Sequence, residues 1–209
     1  MPALDAPVAE IAVGVSRFMA QRDGVWYQKG FPHEIVLTSV TAQLGMTGSI
    51  TESTRWRAGY KYLGKFSSSA EAVSDANYNQ QTKSCNGPCE PVQHFYGLGG
   101  IQSLYATVAP EWYFGDAAIS VEIGPTLYRA TWVEEVPDWR PCEGVAPCGR
   151  QAIVVRHHAN WQPGAVLGAG VRLGRTTYRA GIWFAEAGGD AYPGVYDCCG
   201  LDLSIGVEF

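Results

Sequence analysis

Eight stretches of the chain alternate apolar and polar residues, and alternation at period two marks a strand with two unlike faces. The clearest is the last, 201–209, where Leu201, Leu203, Ile205, Val207 and Phe209 interleave with Asp202, Ser204, Gly206 and Glu208. The first, 8–19, sets Ala9, Ile11, Val13 and Val15 against Glu10, Ala12, Gly14 and Ser16. The second, 35–44, is rich in β-branched residues, and Gly45-Met46-Thr47-Gly48 is expected to turn it back. In 54–64, Trp56, Ala58, Tyr60 and Tyr62 oppose Arg55, Arg57, Gly59 and Lys61. In 98–112, Leu104, Ala106, Val108, Pro110 and Trp112 oppose Tyr105, Thr107, Ala109 and Glu111. Gly115-Asp116 predicts a tight turn into 117–133, whose apolar face of Ile119, Val121, Ile123 and Leu127 backs onto Ser120, Glu122, Thr126 and Tyr128. The stretch 152–173 is long for one plain strand, so a bulge is expected at Pro163-Gly164. Gly174-Arg175 turns it into 176–187, where Tyr178, Ala180, Ile182 and Phe184 oppose Thr177, Arg179, Gly181 and Trp183.

Between these strands the connections alternate long and short. The long ones are about 21–33, 66–93, 134–150 and 188–200, polar and without period. An even strand number with this alternation places both chain ends at the short-turn side. The reading is one all-β domain over 1–209, an eight-stranded antiparallel up-and-down barrel with long outer loops.

The alternating C-terminal strand that ends on Phe209, together with the long and short connections, resembles the small OmpA/OmpX-type barrels of bacterial outer membranes. The resemblance implies a lipid bilayer around the apolar faces and short turns in the periplasm. It also implies that Phe209 is the signal read by the barrel assembly machinery. No secretory signal precedes 8–19, so the chain is expected to be the mature form, with Met1 a possible addition.

The polar faces carry Arg55, Arg57, Lys61, Arg172 and Arg179, and with them Glu10, Glu111, Glu122, Asp202 and Glu208. Five cations and five anions on one face predict an interior filled by mutual salt bridges, since an unpartnered buried charge costs several kcal/mol. An open pore is therefore not expected. Trp56, Tyr60, Tyr62, Trp112 and Phe209 fall on the apolar face, some near strand ends, as an interfacial aromatic girdle requires. The rival arrangement puts the polar face outward, as in a soluble ligand-binding barrel or a component of a secreted or viral assembly.

Composition narrows this further. Charged residues make up 17% of the 209, below the usual soluble share of about 25%. The net charge of −5 gives a nucleic-acid partner no electrostatic support. No run of about 18 apolar residues predicts a spanning helix. No phosphate loop, nucleophile elbow or metal-ligand cluster occurs, and no cofactor or metal is expected.

The six cysteines fall in the last three long connections, with none expected in a strand. Cys85/Cys89 and Cys142/Cys148 are spaced for small bridges within a loop, while Cys198 and Cys199 each reach towards another loop; six cysteines allow fifteen pairings. Disulfide staples suit an exported protein better than zinc held by Cys85 and Cys89. Trp139, Tyr192 and Tyr196 are expected contact aromatics in the same loops. His33, His94, His157 and His158 are the candidates if the barrel were an enzyme acting on lipid A. His157 and His158 adjoin on a strand and point to opposite faces, and neither has a serine or acid at a motif spacing. The expected function is a non-enzymatic outer-membrane barrel that shows disulfide-braced loops to a protein or surface partner.

Overall fold

The computed structural model describes residues 6–19, 32–73, 78–79, 82, 84–85, 92–139, 151–185 and 199–209. The strands in order are β1 (Val8–Phe18), β2 (His33–Val36), β3 (Thr38–Thr51), β4 (Thr54–Val73), β5 (Tyr78–Asn79) and β6 (Ser84–Cys85). They continue with β7 (Val92–Phe114), β8 (Ala117–Trp139), β9 (Gln151–Leu173), β10 (Thr176–Ala185) and β11 (Cys199–Glu208). The order β4-β3-β1-β11-β10-β9-β8-β7 returns to its start through β4–β7 pairing, and every pairing is antiparallel. A sheet closed in this way has no edge in its ring, which is what defines a barrel. β2 continues the line of β3 past Leu37 and pairs with the far part of β4. The closing seam joins the first strand to the last, with Ile11 opposite Val207, Val13 opposite Ile205 and Val15 opposite Leu203. Beyond it the Phe209 N–H donates to the Ala9 carbonyl at 3.0 Å.

Each predicted strand exists, but the outer ends differ. β4 runs to Val73, β7 starts at Val92 and β8 reaches Trp139, all inside stretches expected to be loops. Those segments mix small and polar residues with scattered apolar ones such as Phe95, Tyr96 and Leu98, so no long apolar face announces them. Pairing there rests on the backbone ladder, unbroken from Lys65 opposite Gly100 to Val73 opposite Val92.

The expected turn at Gly45–Gly48 is absent. β3 passes straight through, with Gly45 opposite Gly59 and Gly48 opposite Trp56, and the chain turns at Glu52-Ser53. Gly48 is a strand residue under the Trp56 indole, where a Cβ would come within 2.8 Å of the ring nitrogen. The bulge predicted at Pro163-Gly164 is also absent: Leu127 faces Pro163 and Thr126 faces Gly164 in unbroken register. The β8–β9 register shifts nearer the outer ends, between Glu134 and Glu135 and between Val136 and Trp139. Another irregularity sits in β4 between Tyr62 and Gly64, whose φ is 104°. It reverses the parity of β4, so Phe66, Ser68 and Ala70 point inward, following Arg57, Lys61 and Leu63. The turns at Gly115 (φ 61°) and Gly174 (φ 58°) are as expected, since two-residue hairpins need a positive φ.

Two cysteines lie in strands, contrary to expectation: Cys85 ends β6 and Cys199 opens β11, where it pairs with Phe184. Trp139 is the last residue of β8 and not a loop residue.

Candidate functional site: a two-layered interior

The inward residues of the barrel sort into two layers. The layer near the short turns is ionic. Arg57 forks onto Glu10, with Nε to Oε2 and Nη2 to Oε1 both at 3.0 Å, and its Nη1 reaches Glu122. Arg179 donates to the same Glu10 from β10, and Gln43 donates to it from β3. The Thr107 hydroxyl donates to Glu122 at 2.6 Å. Around this centre lie Lys61–Asp202, Arg55–Glu208 at 3.1 Å and Arg172–Glu111 at 2.8 Å. All ten charges named from the sequence therefore stand in ion pairs, and the pairs run across the interior between strands distant in sequence. Glu10 is 1% exposed and Arg57 6%, so the central pairs are nearly dry. A buried pair of this kind gains little over a well-packed apolar one, but losing one member leaves a stranded charge. The Tyr105 ring lies 5.8 Å from the Arg57 guanidinium carbon, adding a cation–π contact.

The layer beyond is aromatic, and the polar-face reading missed it as a layer. Trp132 of β8 stacks on Phe66 of β4, with centroids 5.3 Å apart at 4°. Phe66 meets Phe18 of β1 at 5.1 Å, and Phe18 meets Trp183 of β10 at 5.6 Å. Trp183 meets Tyr128 at 5.6 Å, which returns the chain of rings to β8. Five rings thus cross the interior and come back to the strand they started from. Glycines on facing strands make the room. A Cβ on Gly97 would come within 2.1 Å of the Trp132 ring, and one on Gly200 within 2.1 Å of the Trp183 ring. Tyr128 and Trp183 carry the parity of Glu122 and Arg179, so a signal was present in the sequence. Phe66 was hidden by the parity change at Gly64.

The outward face is the reverse. Val13, Leu44, Val108, Ile123, Leu203 and Ile205 are each 44–60% exposed. Trp112, Tyr113, Phe114 and Phe209 crowd the turn side, with exposures of 51–66%. Outward apolar residues run from Leu104 to Phe114 on β7, Ala117 to Leu127 on β8 and Pro163 to Leu173 on β9. Each run is about eleven residues, the length a tilted strand needs to cross a bilayer.

The other candidates are dispersed. His94 Nδ1 lies 3.4 Å from Glu71 Oε1 on β7 and β4, and His33 opens β2. His157 is exposed on β9 opposite Val133; the side chain of His158 lies outside the described residues. No group of histidine, cysteine and acidic residues fit to hold a metal ion occurs among the described residues. The Cys199 Sγ lies 3.6 Å from the Met19 sulfur. Cys89, Cys142, Cys148, Cys198, Tyr192 and Tyr196 lie outside the described residues, as do the side chains of Cys85 and Trp139.

No family model matches the chain, and no curated protein matches its sequence. Among solved structures it is similar to Neisserial surface protein A, with TM-score 0.45 and 8% identity, covering 99% of each chain. It is also similar to Ail, the attachment invasion locus protein of Yersinia pestis solved with the heparin analogue sucrose octasulfate, with TM-score 0.43 and 10% identity, covering 98% of this chain and 100% of that one. The translocator domain of the autotransporter NalP from Neisseria meningitidis is similar with TM-score 0.43 and 10% identity, covering 97% of this chain and 87% of that one.

Proposed function

We propose that the chain is a non-enzymatic bacterial outer-membrane barrel that anchors binding loops at the cell surface. The observation that carries this reading is the inverted surface: an apolar outside about eleven residues tall around an inside of paired charges. In water that arrangement would expose a wide apolar belt and dry out ten charges for no gain. In lipid both layers have their natural surroundings. The aromatic girdle at the turn side sits at the periplasmic interface, and Phe209 is the contact for the barrel assembly machinery. The crossed rings and ion pairs fill the interior, so the barrel is a scaffold and not a channel.

The protein will stay monodisperse only in detergent or lipid, and will migrate faster on unheated gels than after boiling. A monodisperse monomer in plain buffer would remove the membrane reading.

The display part of the proposal rests on the loops. Cys199 opens β11 at its outer end and Cys85 ends β6, so bridges formed there would brace the connections. Bridged loops lose less entropy when a partner docks. Reduction should leave the barrel folded but open the segments 74–91 and 140–150 to protease, read by mass spectrometry. Identical cleavage with and without reductant would show that the cysteines brace nothing.

A further inference from the structure

Apolar surface appears twice along the outside of one wall, and lipid accounts for only one of the two. Going up β7 from the turn, the outward residues are apolar as far as Leu104, then come Gln102 and Gly100, then Leu98 and Tyr96. On β8 the same order is Leu127, then Arg129 and Thr131, then Val133 and Glu135. On β4 exposed Lys65 marks the same polar break above Tyr62. Above the break Leu98 is 53% exposed, Tyr96 51% and Val36 of β2 47%. Two ladder rows hold this upper patch. One runs Val36, Ser67, Leu98, Val133 and the next runs Glu34, Ser69, Tyr96, Glu135.

The small serines of β4 form the floor of a groove, with Val36 and Glu34 on one bank and Leu98 and Tyr96 on the other. Two strand spacings separate the banks, about 10 Å, which admits one extended segment. Exposed Glu34 and Glu135 rim it, with Glu71 and its neighbour His94 one row further out. Among the described side chains, the cations Lys65 and Arg129 lie on the membrane side of the patch.

Taking as its basis the reading that the lower belt lies in lipid, we propose that this groove docks an extended, cationic protein segment with apolar side chains. The acidic rim selects against anionic headgroups, and against a second copy of the same acid-rimmed face. A basic segment would set its cations on Glu34 and Glu135 while its apolar side chains cover Tyr96 and Leu98.

The test uses the full chain in phosphatidylcholine nanodiscs, with fluorescent peptides of alternating lysine and leucine or alternating glutamate and leucine, read by anisotropy against empty discs. The lysine peptide should bind saturably and the glutamate peptide should not. Tyr96→Ser with Leu98→Ser should weaken binding at least about tenfold. Glu34→Lys with Glu135→Lys should lose the lysine peptide and gain the glutamate peptide, while Glu52→Lys at the turn side changes nothing. The gel-mobility shift confirms that each variant is folded. Binding no better than to empty discs, equal binding of both peptides, or binding indifferent to both double variants overturns the proposal. If the chain inserts into discs and still fails to bind, only this inference falls. If it does not insert, the membrane reading falls with it.

Discussion

Replacing Arg57 with methionine will destabilise the folded barrel by about 3–5 kcal/mol, more than any other single charge removal in the interior. Arg57 pairs directly with both Glu10 and Glu122. Without it, Glu122 keeps the Thr107 hydroxyl and Glu10 keeps Arg179 and Gln43. One negative charge is then in excess in a nearly dry layer. Methionine fills similar space, so the loss reports the stranded carboxylates and not a cavity. Adding Glu122→Gln should recover part of the loss, because the second substitution removes the charge that the first one stranded. Glu52→Gln, on an exposed turn, should shift stability by less than about 0.5 kcal/mol. Denaturant unfolding from lipid vesicles, followed by tryptophan fluorescence, measures all of these. Equal and small effects for Arg57→Met and Glu52→Gln would show that the ionic layer is not dry.

Trp132→Ala should cost a comparable amount, about 3–5 kcal/mol, for a different reason. The indole is 1% exposed, stacks on Phe66 and occupies the space over Gly97. Removing it leaves a cavity in the middle of the crossed rings, where strands held by backbone ladders cannot collapse to fill it. Gly97→Ala alone should cost about 1–3 kcal/mol, because its Cβ would press into the ring. The two changes should not add: with the indole gone, a larger residue at 97 refills the space, and Trp132→Ala with Gly97→Leu should be more stable than Trp132→Ala alone. Strict additivity would mean that the two residues do not share that space.

The two variants probe layers that were unequally legible in the chain. The strand pattern, the pairing order and the ten charges follow from period-two alternation, because a closed sheet with unlike faces admits only one inward set. Arg57 and Glu122 belong to that set by parity alone, although their contact joins residues 65 apart.

Only the tertiary structure decided where strands end, where parity changes and what else fills the interior. The outer parts of β4, β7 and β8 pair through backbone groups that every residue carries, so no side-chain period announces them. Gly64 moves Phe66 from the outward set to the inward set, and a strand read without its partner cannot reveal that shift. Gly45 and Gly48 look like turn residues, yet they serve as gaps beneath Tyr105 and Trp56. Which aromatic needs which glycine is a property of packing across strands, and it exists only once the sheet has closed.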